Sequence, residues 1–191
     1  IPIIIVMGLI AMISLSGIQR YWLIGGFTFV IGTVLVFLFL FFFAQDFLVD
    51  IVGSSYRLNR FYGWLQTEDY ISSWGLQLYQ SLLTVGSAGF LGHGFGSQVI
   101  SIIEPQNDFI FAVIGQNFGF LGTSIVLFLH LALDLIIIRI IYQNEYYREK
   151  IMAVGLLGML MFQQIQNMGM IIGLLPITGI TLPFISAGGS S

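Results

Sequence analysis

Between Asp108 and Arg139 the chain runs for thirty residues with one formally charged side chain, Asp134. As an α-helix rising 1.5 Å per residue, such a run is about 45 Å long, more than the ~30 Å hydrocarbon core of a bilayer. A helix that is apolar on every side offers water no polar face, so its natural solvent is lipid. Residues 1–16, residues 21–44 with their Phe-Leu-Phe-Leu-Phe-Phe-Phe ending, and residues 151–173 read the same way. Composition agrees: 57% of the 191 residues are hydrophobic and 8% charged, with mean hydropathy +0.96. A soluble domain carries about a quarter of charged residues to keep its surface wet.

The formal net charge of -3 comes with no basic patch and points away from nucleic acid. The chain has no cysteine, which excludes disulfides, thiolate metal sites and a thiol nucleophile. It opens inside an apolar run without a starter Met or basic leader and stops in Ile-Ser-Ala-Gly-Gly-Ser-Ser, so both ends are expected to be cuts in a longer protein.

Charge sets the orientation. Arg20 lies in one loop and Arg139, Arg148 and Lys150 in another, while the stretch between carries Asp46, Asp50, Glu68, Asp69, Glu104 and Asp108 against Arg57 and Arg60. Basic residues mark the cytoplasmic side, which puts 17–20 and 139–150 inside and 45–108 outside. The expected architecture is an all-α, polytopic transmembrane helical bundle forming one membrane domain. Its spans are about 1–16, 21–44, 109–138 and 151–173, its large outer loop is 45–108, and an outer re-entrant tail covers 174–191. In that loop Tyr62, Trp64, Tyr70, Trp74 and Tyr79 suit a membrane–water interface. Residues 76–85 predict an amphipathic helix with Gln77, Gln80, Ser81 and Thr84 on one side. Gly86, Gly89, Gly92, Gly94 and Gly96 follow, and this segment is expected to fold back over the bundle as a re-entrant or interfacial element.

Several residues carry chemistry with two readings each. Asp108 precedes an apolar run at the outer mouth of a span. There it either caps the helix, together with Asn107, or serves as a general base in a desolvated setting. Arg57 and Arg60, three apart, either anchor to lipid phosphates or clamp a lipid diphosphate with their guanidinium forks. The glycine cluster lacks the Gly-Lys-Ser/Thr ending of a nucleotide loop and reads as tight turning or close packing. His93 has no second His or Cys beside it and reads as an interfacial polar residue. His130 and Asp134 are i, i+4 and suit either a proton relay or simple pairing and snorkelling of Asp134 toward Arg139. Gln163, Gln164, Gln166 and Asn167 imply interhelical hydrogen bonds or the wall of a hydrated cavity.

Four stretches then carry a resemblance: Arg57-Leu58-Asn59-Arg60, residues 80–96 (QSLLTVGSAGFLGHGFG), residues 104–122 (EPQNDFIFAVIGQNFGFLG) and residues 173–191 (GLLPITGITLPFISAGGSS). On these the chain resembles the shape, elongation, division and sporulation family of FtsW, RodA and SpoVE. The resemblance covers essentially the whole chain. Against that family's ten-span plan the chain runs from about the sixth span to just before the tenth. It implies a peptidoglycan glycosyltransferase of the bacterial cytoplasmic membrane, multi-pass and with its active site facing outward. Such an enzyme joins lipid II into glycan strands beside a class B penicillin-binding protein. Carried over to matching positions, it implies Asp108 as the catalytic base and Arg57, Arg60, Gln80, Ser81, Glu104 and Ser190 as substrate-binding residues. It leaves the cofactor open: a divalent cation such as Mg or Mn can screen the diphosphate, but the sequence holds no defined cage for one. Gln116 and Asn117 stand where many relatives have glutamates, His93 where Lys is common, Ala88 for Gly and Ala187 for Tyr. Two rivals remain: a flippase or transporter of lipid-linked precursors, which needs acids along an intramembrane path, and a non-catalytic scaffold for the penicillin-binding protein.

Overall fold

The computed structural model describes residues 75–96 and 108–186, together with residues 13, 21, 24, 25, 28, 32, 35, 36, 39, 60, 62–65 and 67. Most of the expected spans at 1–16 and 21–44 and of the loop 45–108 lies outside the described residues. All regular structure among the described residues is helical, as the apolar runs require. The elements with full bounds are α1 (Leu76–Ser87), α2 (Ile110–Gln143) and α3 (Tyr147–Ile171). α2 and α3 are long and apolar enough to cross a membrane.

Beside an apolar core of Leu78, Phe111, Ala112, Met170 and Ile171, the helices bury several small and polar residues and expose large apolar ones. On α2 the buried positions include Gly115, Gln116, Gly119, Gly122, His130 and Asp134, while Leu127, Phe128, Leu131, Leu135 and Ile136 are exposed. On α1 the polar side expected from spacing turns inward: Ser81 and Thr84 are buried and Leu82 and Leu83 exposed. Small and polar residues between helices with large apolar ones outside is the arrangement suited to lipid, where burying Leu against protein gains little over leaving it in acyl chains. The Ser81 hydroxyl reaches the carbonyls of Leu78 and Ile171, each at 3.0 Å, and so binds α1 to the end of α3.

Asn144 makes the turn between α2 and α3. Its N–H donates to the Ile140 carbonyl at 3.1 Å, its Oδ1 accepts from Tyr146 N at 2.8 Å and its Nδ2 donates to Glu149 Oε2 at 2.6 Å. The two helices therefore run antiparallel, and Leu127 and Asp134 share one cavity with Met168 and Met161. At the far end α3 stops in a Schellman turn. Leu174 N–H bonds the Gly169 carbonyl at 2.8 Å and Gly173 N–H that of Met170 at 3.1 Å, with Gly173 at φ +78°. Trp64 Nε1 donates to the Gly173 carbonyl at 2.9 Å and fixes the turn from outside.

α2 is not straight. Gly119 lies at φ 63°, ψ -153°, a region open essentially to glycine alone. Beyond it the chain doubles back: a Cβ on Gly115 would sit 3.4 Å from Thr123 Cγ2, and one on Gly122 3.4 Å from Ile114 Cγ2. Residues eight apart in a straight helix are separated by about 12 Å along the axis. The helix thus has a short limb, 110–118, and a long limb, 120–143. The glycine loop after α1 fits into the bend and exchanges backbone bonds with it. Phe120 and Leu121 N–H donate to the Gly89 and Phe90 carbonyls (3.0 and 3.2 Å), and the Gln116 and Asn117 carbonyls accept from His93 and Gly94 N–H (2.8 and 3.1 Å). Contact is so close that a Cβ on Gly119 would fall on the Gly92 nitrogen.

Residues 172–186 return beside the helices as non-helical chain, and side chains take up their carbonyls. Gln166 Nε2 donates to Pro176 O at 3.0 Å, Asn167 Nδ2 to Ile180 O at 2.7 Å, and a His130 ring nitrogen lies 3.2 Å from Pro183 O. The amide cluster of α3 therefore hydrogen-bonds returning backbone in addition to a neighbouring helix.

Gly119→Ala should destabilise the full-length protein by more than about 2 kcal/mol, because it combines a disallowed backbone angle with a backbone clash. The check is the thermal midpoint of the detergent-solubilised protein, read by fluorescence-detected size exclusion. Gly86→Ala, in α1 with open space around its Cβ, should match or exceed the native midpoint.

Candidate active site

The fold-back decides where Asp108 lies. On a straight helix it would stand at the outer mouth of a span; instead it starts the short limb, about 14 Å along that limb from the bend. There its backbone carbonyl accepts Asn167 Nδ2 at 2.7 Å, and the same amide group donates to Ile180 O at 2.7 Å. Asn167 is 0% exposed, so this clamp works without competition from water. The orientation of its amide is fixed, since a flipped oxygen would face two carbonyls. The N-cap of α2 falls on Phe109, one residue past Asp108, so the positive end of the short limb lies beside the acid.

Gly179 completes the site. It sits at φ +70°, and a Cβ there would be 3.2 Å from Asp108 Oδ2 and 3.9 Å from Arg60 Nη1. The carboxylate and the guanidinium therefore face one small volume over bare tail backbone. Both side chains are half-buried, which weakens screening and strengthens their mutual attraction. A carboxylate so placed can accept a proton, and a guanidinium beside it can hold an anionic oxygen.

The structure brings together Asp108 and Arg60 among the residues expected from sequence. Gln80 is half-buried on α1, and its Oε1 is buried without a hydrogen-bond partner among the described residues. Ser81, expected to bind substrate, is 0% exposed with its hydroxyl directed to the Leu78 and Ile171 carbonyls; helix-to-helix binding is the role its position allows. Arg57, Glu104 and Ser190 lie outside the described residues. Two residues were missed. Asn167 was visible as one amide in a dense run, and Gly179 as a glycine in Pro-Ile-Thr-Gly-Ile, but neither pattern reveals a partner. Asp134 also departs from expectation: it is buried and accepts Gln164 Nε2 at 3.1 Å, whereas Arg139 is exposed. Across α2 and α3, interhelical hydrogen bonding proved the better partner for a carboxylate than snorkelling. His93 is exposed, with its ring nitrogen Nε2 3.4 Å from Ser87 Oγ. Among the described residues no group of three or more His, Asp or Glu stands close enough to hold a metal ion.

Comparison with known proteins identifies the family. The family model for FtsW, RodA and SpoVE, described as cell cycle protein, matches residues 2–191. The chain therefore belongs to that family of membrane proteins. It is 39% identical over 145 residues to stage V sporulation protein E of Bacillus subtilis (strain 168), which covers 74% of this chain and 39% of that protein. It is 34% identical over 199 residues to the probable peptidoglycan glycosyltransferase FtsW of the same organism, covering 97% of this chain and 46% of that one. The chain thus spans less than half the length of these relatives. The fold matches a chain in the solved structure of a peptidoglycan synthase complex, described as structural coordination of polymerization and crosslinking. The TM-score is 0.69 at 23% identity, over 98% of this chain and 49% of that one.

Asn167→Leu should cost about 2–4 kcal/mol, because it removes a fully buried amide that donates to both the Asp108 and the Ile180 carbonyls. Thermal unfolding of the full-length protein measures the loss, and Gln163→Leu, on the same helix, is the comparison.

Proposed function

We propose that the full-length protein polymerises lipid II into glycan strands by general-base-assisted, inverting glycosyl transfer. Support comes from relatives named as probable peptidoglycan glycosyltransferases and from one observation above all: Asp108 and Arg60 face one volume at Gly179. In this reading the Asp108 carboxylate takes the proton of the 4-hydroxyl on the acceptor's terminal sugar. The freed oxygen bonds to the donor's anomeric carbon from the opposite face. The bond from that carbon to the diphosphate oxygen breaks, and the lipid diphosphate leaves with the electron pair. Arg60 offers a fixed cation to the anionic diphosphate, a contact that gains strength as negative charge develops on the leaving oxygen. Arg57, Gln80, Glu104 and Ser190 extend the substrate-binding set in this reading.

The same proposal puts the protein in the bacterial cytoplasmic membrane as a multi-pass bundle. Basic residues at 139–150 lie inside, and the glycine loop, the tail and Asp108 face outward. A class B penicillin-binding protein is the proposed partner, because the fold neighbour comes from a complex that couples polymerization to crosslinking.

Lipid II polymerisation by the full-length protein, reconstituted with its cognate penicillin-binding protein, tests this. Asp108→Ala should lower the rate of strand formation by about 100-fold or more, the usual share of a general base. Normal strands from that variant would end the catalytic assignment and favour a scaffold, and loss on Asp134→Ala alone would favour transport. Gly179→Ala should lower the same rate by about tenfold or more, since the added methyl displaces either the tail or the acid.

A further inference from the structure

The site leaves a second set of buried polar groups unused, on the long limb of α2. His130 and Asp134 are one turn apart and both buried. Asp134 is directed to Gln164 of α3, while His130 reaches the tail. Its Nδ1 lies 2.9 Å from the Val126 carbonyl of its own helix and its Nε2 3.2 Å from the Pro183 carbonyl. Both partners are acceptors and a neutral imidazole has a single N–H, so the tautomer with its proton on Nε2 is the one that bonds the tail. Val126 is inside a helix, where backbone N–H groups supply donors. Pro183 is not, and its carbonyl takes its hydrogen bond from His130.

The residue after Pro183 shows what that bond holds. Phe184, at φ 65°, is the non-glycine residue with positive φ among the described residues, and its ring is exposed. A backbone so strained persists only where its surroundings over-determine it. Here Leu182 N–H donates to Ser186 Oγ at 2.8 Å and Ser186 N–H returns to Leu182 O at 3.1 Å, closing the turn locally. Local closure does not fix the turn against the helices; Leu182, buried in the core, and the His130 contact to Pro183 do. The tail is thus pinned at Ile180 by Asn167 and at Pro183 by His130, and Gly179, which meets Asp108 and Arg60, adjoins the first pin.

We infer that His130 is a positioning residue for the reaction: through the Pro183 carbonyl it sets the tail against α2, and so sets the Gly179 backbone against Asp108. Because His130 lies on the long limb of α2 and Asp108 immediately precedes the short limb, acid and tail are referred to the same element. His130 touches no reacting group and acts only through the tail. The inference rests on the glycosyltransferase reading for its kinetic consequence, but not for its structural one.

The test uses the full-length protein in nanodiscs with its partner, comparing His130→Gln, His130→Asn and His130→Leu. Hydrogen–deuterium exchange of peptides covering 176–186 reads the pin, and kcat and KM for lipid II read its effect. His130→Leu should raise exchange in the tail by about tenfold or more. It should lower kcat by about tenfold with KM within about twofold, since the tail orients the acid and does not bind substrate uniformly. His130→Gln, with an amide N–H of similar reach, should stay within about threefold of native in both. Exchange and kcat unchanged in the Leu variant would overturn the inference. If that variant is not recovered folded, Gln against the shorter Asn decides: a loose tail and low kcat in Asn alone support the pin, and equal behaviour overturns it. Altered exchange in a protein that makes no glycan strands at all would sink the polymerase reading and leave the pin standing.

Discussion

Non-helical backbone inside an apolar bundle has to find every hydrogen-bond partner within the protein, because acyl chains supply none. The rest of this structure depends on how that requirement is met at two places. At the bend of α2 the partners are backbone groups of the glycine loop, four bonds from Gly89, Phe90, His93 and Gly94 to the segment 116–121. Along the tail they are side chains: Gln166, Asn167 and His130, each aimed at one carbonyl. Glycines serve the first solution by allowing contact, and amides and an imidazole serve the second by supplying donors.

Together these solutions place the acid. Without the bend, Asp108 would stand at the far end of a 34-residue helix, well beyond the end of α3. With it, Asp108 lies beside Asn167 and against the tail at Gly179, where no side chain intervenes. The residue is held through its main chain by Asn167, while its Oδ2 and Arg60 Nη1 both face the space above Gly179.

Much of the fold was legible, and for physical reasons. The apolar runs predicted helices because bilayer length and helix rise leave few alternatives, and the i, i+3, i+4, i+7 spacing of Gln77, Gln80, Ser81 and Thr84 marked α1. The bend was not legible. Phe-Gly-Phe-Leu-Gly within an apolar run reads as close packing, and only a loop some 25 residues earlier makes a reversal there favourable. Position along a straight helix therefore says nothing of the neighbours of Asp108, because Asn167 and Gly179 lie on other segments. Ser81 and Asp134 show the same gap. Spacing revealed that each was a polar group on a buried face, but the partner that decides its role lies on another element.

The bond exchange at Gly119 also bears on how this membrane protein is assembled. A straight α2 would satisfy Phe120 and Leu121 N–H with the Gln116 and Asn117 carbonyls, and would leave the loop's groups at 89, 90, 93 and 94 unmet. The bent form satisfies both sets. The loop leaves the ribosome first, yet its partners are built into a helix made afterwards and able to stand alone without it. The angle at Gly119 therefore belongs to the loop contact as much as to the helix's own sequence. The surroundings of the acid are a product of tertiary contact, made by a loop and a tail that lie outside the span itself.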